Sequence, residues 1–133
     1  MMKVNKRINF FDCDPAGIIF YSKIFEYCHS AYERMIEEFS LQENYWNNNQ
    51  YVVPIIKAEC EYYNPVKYGD EIEIILKITE LRKSSFEITY ELFLGERKFA
   101  KVKTIHVFVS KSKFNKIDIP EHLVSKFRDF SSS

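Results

Sequence analysis

The spacing of apolar residues passes from helical to alternating in the middle of this chain, and that change sets what it can fold into. From Ser22 to Phe39, Ile24, Phe25, Cys28, Ala31, Tyr32, Met35, Ile36 and Phe39 recur at helical spacing, with Lys23, Glu26, Ser30, Glu33, Arg34, Glu37 and Glu38 on the opposite face. This predicts a helix of about 18 residues, about 27 Å long, with one buried stripe and Ser22 as N-cap. Beyond the polar stretch Leu41 to Gln50 the period becomes two. Ile56, Ala58, Cys60 and Tyr62 alternate with Lys57, Glu59 and Glu61; Ile72, Ile74, Leu76 and Ile78 alternate with Glu71, Glu73 and Lys77. Phe86, Ile88, Tyr90, Leu92 and Leu94 predict a third strand of this run. Phe99, Ile105, Val107 and Val109 predict a fourth, with Lys101 and Lys103 on its other face. A weaker alternation of Val4, Ile8 and Phe10 predicts an opening strand ended by Asp12 to Gly17, and Pro120 to Phe130 a closing amphipathic segment docked through Leu123, Val124 and Phe127.

The order β-α-β-β-β-β with short connections implies an antiparallel sheet, because parallel neighbours need long crossovers. One striped helix must then lie against one sheet, an α+β layout in which a curved sheet wraps a long central helix. The 133 residues suffice for a single domain, residues 1–133, that buries roughly 65–70% of its unfolded surface. Twelve Phe and nine Tyr exceed what one helix can cover, and the sheet has open edges, so a homo-oligomer is expected. The last three serines read as a frayed tail.

Nineteen Lys plus Arg balance nineteen Asp plus Glu, so no net field draws a polyanion, and nucleic acid is not an expected partner. Cys13, Cys28 and Cys60 are odd in number and lack metal-ligand spacing; they read as reduced thiols of a cytoplasmic protein. Charges through the first seven residues argue against a signal peptide, and no uncharged run approaches a membrane span.

Chemistry concentrates in FDCDPAGIIFY, Phe11 to Tyr21. Asp14 precedes Pro15 and is biased to an extended backbone before the reversal at Ala16 and Gly17. Its carboxylate is thereby presented beside a helix N-terminus, whose unpaired N–H groups and partial positive charge suit a developing oxyanion. An Asx-type turn, with Asp12 or Asp14 accepting backbone N–H bonds, is an equal reading of the tripeptide alone. The apolar run Ile18 to Tyr21 favours a water-poor site.

FDCDPAGIIFYSKIFEYCHSAYERMIEE, followed by PIIKAECEYYNPVKYGDEI, resembles the 4-hydroxybenzoyl-CoA thioesterase family of hotdog-fold acyl-CoA thioesterases, including the Tol-Pal-associated type, over about four-fifths of the chain. The resemblance implies hydrolysis of an acyl-CoA thioester by dimers or tetramers with sites at the subunit interface. An oxyanion donor worth about 3–4 kcal/mol and a general base worth about 10²- to 10⁴-fold require no cofactor or metal. It implies that Asp14 is the catalytic carboxylate, that the backbone N–H of Tyr21 polarises the thioester carbonyl, and that Asp12 supports the loop. Cys13 stands where many members carry Thr. Gly17, Ile18, Tyr62 and Tyr63 are candidates for the acyl pocket, with Asn64 beside them, and Arg82 and Lys83 for the CoA phosphates. The bland alternatives are strand packing for the tyrosines and a solvated hairpin turn for the basic pair. His29 flanks the buried stripe and reads first as a packing residue; His106 and His122 have no partner spacing for metal. The acids beside Cys13 would raise its thiol pKa, which argues against a thiolate nucleophile. A hotdog hydratase or dehydratase, or a silent acyl-CoA-binding or scaffold module, are the alternative functions.

Overall fold

The computed structural model describes residues 1–132. Strand β1, Met2–Arg7, leads through a single 3-10 turn at Phe10–Asp12 and a loop into helix α1, Lys23–Glu38. A two-residue strand β2, Tyr51–Val52, precedes β3, Ile55–Tyr62; β4, Glu71–Leu81; β5, Ser85–Leu94; and β6, Arg97–Val107. A second two-residue strand β7, Val109–Ser110, pairs with β2, and α2, Glu121–Ser132, closes the described chain. The five long strands form one antiparallel sheet in the order β1-β4-β5-β6-β3. This is the α+β, helix-on-curved-sheet layout that the spacing predicts.

The core lies between α1 and one face of the sheet. Ile24, Cys28, Ala31, Tyr32, Met35 and Ile36 of α1 meet Ile72, Ile74, Leu76 and Ile78 of β4 and Phe86, Ile88, Tyr90 and Leu92 of β5, all buried. The opposite sheet face is charged: Glu91 pairs with Lys77 at 3.0 Å and with Lys98 at 3.1 Å. One-sided burial of this kind is how an antiparallel sheet keeps a solvated face. At the far end of α1, α2 docks as its stripe predicts: Leu123 and Phe127 are buried, and the Phe127 ring lies 4.3 Å from Phe86 and 5.5 Å from Phe39.

Several expectations are corrected by the packing. β1 ends at Arg7, and Phe10 belongs to the 3-10 turn and is exposed. Ser22 makes no side-chain cap, and α1 has 16 residues; Tyr27 joins its buried stripe, whereas Phe25 is only half-buried. Ser131 and Ser132 are helical, their hydroxyls donating to the Phe127 and Arg128 carbonyls, while Ser133 lies outside the described residues. In β6 the inward residues are Ala100, Val102, Thr104 and His106, so Ile105 shares the outer face with Lys101 and Lys103. The largest departure is β3. Read as half-buried, it is exposed along its whole length except at half-buried Cys60. It is the sheet's edge, paired with β6 on one side only, and Cys60 alone of its residues packs against the core.

His106 is fully buried (0% exposed), stacked on Phe86 with ring centroids 4.7 Å apart, and its Nε2 lies 2.7 Å from the Thr104 hydroxyl. Its Nδ1 has no partner among the described residues. Burial, aided by the nearby charge of His29, pushes its pKa down to about 3. The unfolded chain therefore takes up a proton near pH 6.5 that the folded chain refuses until about pH 3, and folding stability falls as pH drops through that window, by up to about 1.4 kcal/mol per unit. Replacing His106 by Leu should remove this component. The urea midpoint of wild type is expected to fall relative to that of His106→Leu from pH 7 to pH 5; parallel curves would show that His106 does not titrate this way.

Candidate active site

The loop between β1 and α1 folds back on itself. The backbone N–H of Asp14 donates to the Ile18 carbonyl at 2.9 Å, Phe20 N–H donates to the Asp12 carbonyl at 2.9 Å, and Cys13 bridges Ile19. Residues 12–14 thus run antiparallel to residues 18–20, around a turn that Gly17 completes at φ +79°. Its Cβ would meet only ordinary contact with Tyr68, so glycine is required here by conformation rather than by space.

Asp12 anchors the fold of the loop. At 7% exposure its carboxylate accepts a 2.5 Å hydrogen bond from the Tyr27 hydroxyl, one turn into α1, and lies 3.9 Å from the Lys23 ammonium. Burial, and then the bond to Asp12, pushes the Tyr27 phenol well above its usual range, so it remains a donor. Lys6 lies 5.1 Å over the Tyr27 ring. Nothing in the spacing singles out Tyr27; only its position beneath a buried carboxylate does.

Asp14 is half-buried, and its Oδ1 accepts the N–H bonds of Ala16 at 2.9 Å and Ile18 at 3.3 Å. The Asx-turn reading is therefore correct for that oxygen. Oδ2 accepts no hydrogen bond among the described residues. Burial pushes the Cys13 thiol up, with the charges of Asp12 and Asp14 acting in the same direction, which keeps it protonated.

Beside this turn opens an apolar cleft of about 290 Å³. Ile18, Ile19 and Tyr21 form one wall, Tyr62, Tyr63 and Asn64 another, and Phe99 is part of the remainder. Tyr63 and Asn64 are set by their N–H bonds to the Phe99 carbonyl, at 2.8 and 3.3 Å, and Ile19 by its bond to Val66. The Tyr62 hydroxyl donates to the Tyr21 carbonyl, tying the end of β3 to the helix entry. The neighbouring Phe20 carbonyl accepts from Lys23, whereas the Tyr21 N–H makes no hydrogen bond among the described residues. An apolar cleft with an unsatisfied amide at a helix entry, next to a carboxylate loop, suits an acyl carbonyl that gains negative charge.

The candidates thus separate. Ile18, Tyr62 and Tyr63 line this cleft together with Tyr21; Gly17 and Asp14 adjoin it without forming its wall. Arg82 and Lys83 do not reach it. They sit in the β4–β5 turn, where Arg82 pairs with Glu80 and Lys83 with Asp118 at 4.0 Å, facing α2. Through the register Ile55–His106–Phe86 that turn lies at the Ile55 end of the sheet, whereas Tyr62 ends β3 opposite Ala100.

A second apolar cleft, of about 550 Å³, occupies that Ile55 end. Tyr32, Tyr45, Trp46, Pro54 and Phe114 contribute its rings, and His29 borders it with Nδ1 2.9 Å from Glu33. Tyr45 and Trp46 come from the polar stretch Leu41 to Gln50. Among the described residues no group of three or more His, Cys, Asp or Glu could hold a metal ion, and no helix is long and apolar enough to cross a membrane.

Comparison with known proteins identifies the family and the fold. The family model described as the Thioesterase-like superfamily matches residues 8–127. A 1,4-dihydroxy-2-naphthoyl-CoA hydrolase of Nostoc punctiforme is 31% identical over 121 residues, covering 90% of this chain and 82% of the relative. The same-named protein of Microcystis aeruginosa is 29% identical, covering 92% and 89%. Among solved structures, a 1,4-dihydroxy-2-naphthoyl-CoA thioesterase from Synechocystis superposes with TM-score 0.87 at 23% identity, over 96% of this chain and 95% of the other. A gentisyl-coenzyme A thioesterase superposes with TM-score 0.83 at 24% identity, over 95% and 99%.

The buried Asp12–Tyr27 bond predicts a measurable contribution to stability. Tyr27→Phe removes the donor and leaves a buried carboxylate oxygen unsatisfied, so the unfolding free energy should fall by about 1.5–3 kcal/mol. A urea midpoint equal to that of wild type would show that Lys23 and solvent suffice to hold Asp12.

Proposed function

We propose that this chain, which belongs to the Thioesterase-like superfamily, hydrolyses an acyl-CoA thioester at the cleft beside Tyr21, with an aromatic acyl group as its substrate class. The observation that carries the reading is the unpaired Tyr21 N–H in an apolar cleft that adjoins the Asp14 turn. The thioester oxygen accepts from this N–H and becomes the oxyanion as the carbonyl carbon is attacked. Asp14 acts through Oδ2, either as nucleophile or as the base that takes a proton from the attacking water; CoA thiolate leaves in either case. One such oxyanion donor contributes about 3–4 kcal/mol and a general base about 10²- to 10⁴-fold, so the reaction needs no cofactor.

The aromatic preference rests on the named relatives, whose substrates are dihydroxynaphthoyl and gentisyl thioesters. They support the broader superfamily rather than the 4-hydroxybenzoyl or Tol-Pal-associated type in particular. Cys13, Cys28 and Cys60 are free thiols, consistent with work in the cytoplasm.

The working unit we propose is a homo-oligomer built on a two-fold pair. β3 leaves one ladder edge unpaired and carries exposed Ile55, Ile56 and Tyr62. Two copies pairing antiparallel about an axis normal to the sheet must match residues of like face. An axis through Ala58 sets Lys57 against the partner's Glu59 twice, whereas one through Lys57 or Glu59 sets like charges together.

Two results are expected. Asp14→Asn should lower kcat on an aryl-CoA by at least about 10² with the fold intact; an undiminished rate rules out the assignment, and binding without thiol release by wild type would favour a silent acyl-CoA module. Separately, Glu59→Lys should weaken self-association roughly tenfold, and adding Lys57→Glu should restore it. A dissociation constant indifferent to both changes would place the contact elsewhere.

A further inference from the structure

We infer that His29, held by Glu33 in the cleft at the Ile55 end of the partner copy, reads a hydroxyl on the aromatic acyl group whose thioester lies at Asp14 and Tyr21 of the first copy. This rests on the hydrolase reading above and adds a specificity residue and the copy that supplies it.

The starting observation is a mismatch within one copy. The cleft beside Tyr21 is bordered by Tyr62, and the larger aromatic cleft by Pro54 and Ile55; the two share no wall residue. Tyr62 and Ile55 are opposite ends of β3, which at about 3.3 Å per residue stand roughly 20 Å apart. No single acyl group spans them. Antiparallel pairing about Ala58 removes the separation: opposed residue numbers sum to 116 at Lys57 and Glu59, and beyond the bulge at Ile55–Lys57 Tyr62 falls near the partner's Val53 and Pro54. Neighbouring strands lie about 4.8 Å apart, so the small cleft with its free amide opens onto the large aromatic one of the other copy.

The large cleft has the volume and lining of a site for a planar ring. About 550 Å³ is within the usual range for small-molecule sites. Its rings already pack edge to face: Trp46 stands 5.2 Å from Tyr32 and 4.8 Å from Tyr45. The Tyr32 and Tyr45 hydroxyls satisfy one another at 2.6 Å, which leaves those walls apolar in character. His29 is the polar exception. Nδ1 lies 2.9 Å from the Glu33 carboxylate, which only accepts when ionised, so in the neutral form of His29 the ring proton sits there and Nε2 is left as an acceptor. An acceptor at the edge of an aromatic cleft selects a donor, and a phenolic hydroxyl is the donor an aryl acyl group can carry. A site built to hydrogen-bond a hydroxyl discriminates strongly against the ring that lacks it.

The test compares 1,4-dihydroxy-2-naphthoyl-CoA with 2-naphthoyl-CoA. For wild type the ratio of kcat/KM should favour the hydroxylated thioester by tenfold or more. His29→Leu should collapse that ratio mainly through KM, and His29→Gln, which keeps an acceptor, should restore part of it. A mixed dimer of Asp14→Asn and His29→Leu chains then reports which copy supplies the histidine. One of its two sites combines an intact Asp14 with an intact His29 from the other copy, so about half of wild-type turnover at low hydroxylated substrate should return. A ratio unchanged in His29→Leu overturns the role of His29, and a mixed dimer no better than the His29→Leu homodimer overturns its supply by the partner. Hydrolysis confined to aliphatic acyl-CoAs would overturn the inference while leaving the hydrolase reading in place; no thioester hydrolysis at all would remove both.

Discussion

A 16-residue helix cannot cover five strands, and the rest of this molecule follows from where its coverage stops. At 1.5 Å per residue α1 is about 24 Å long. Its buried stripe is fully used against β4, β5 and β6, where apolar side chains leave water and supply most of the driving force for folding. α2 extends the cover at one end through Leu123 and Phe127. On β3 only Cys60 packs against the core, so the rest of an eight-residue strand with isoleucines and a tyrosine stays open to solvent and presents an unpaired ladder edge. Such an edge invites a partner strand, and the charges on β3 favour one self-pairing over its neighbours in register.

The same limit on coverage explains where the clefts lie. Both border the ends of β3, where aromatic side chains line open space. At one end the loop from β1 returns to the start of α1, held by the buried bond between Asp12 and Tyr27. That bond aligns two antiparallel stretches, so that the turn carrying Asp14 and the amide of Tyr21 flank one apolar space. At the other end, Trp46 and Phe114 flank a larger space with a single histidine at its edge. In the function proposed above, chemistry at the first and selectivity at the second become one site only through the two-fold.

Much of the architecture was legible because it is periodic. The stripe from Ile24 to Phe39 and the alternation in β4 and β5 each recur often enough to fix which face is buried. The motif Asp14-Pro15-Ala16-Gly17 was legible as a reversal because proline and glycine restrict or free the backbone locally. The Asx alternative proved real for one Asp14 oxygen, which no spacing argument could decide, since both readings use the same turn. β3 was misjudged because alternation reports which face could be buried and not whether anything is there to bury it. Tyr27, Tyr45 and Trp46 carry no signal in the spacing, because each stands among residues of another character and acquires its role from a neighbour distant in the chain.

The amino-acid order alone therefore determined the element types, the antiparallel sheet, the one-sided core and the position of the acidic turn ahead of the helix, all consequences of local conformational preference and short-range periodicity. Only the tertiary structure decided that Asp12 is buried against Tyr27, that β3 is an uncovered edge, that Arg82 and Lys83 stand at the opposite end of the sheet from Tyr62, and that His106 sits unprotonated in the core. These depend on contacts between residues far apart in the chain, and the free energy of such contacts is set by what else occupies the space, which no local pattern encodes.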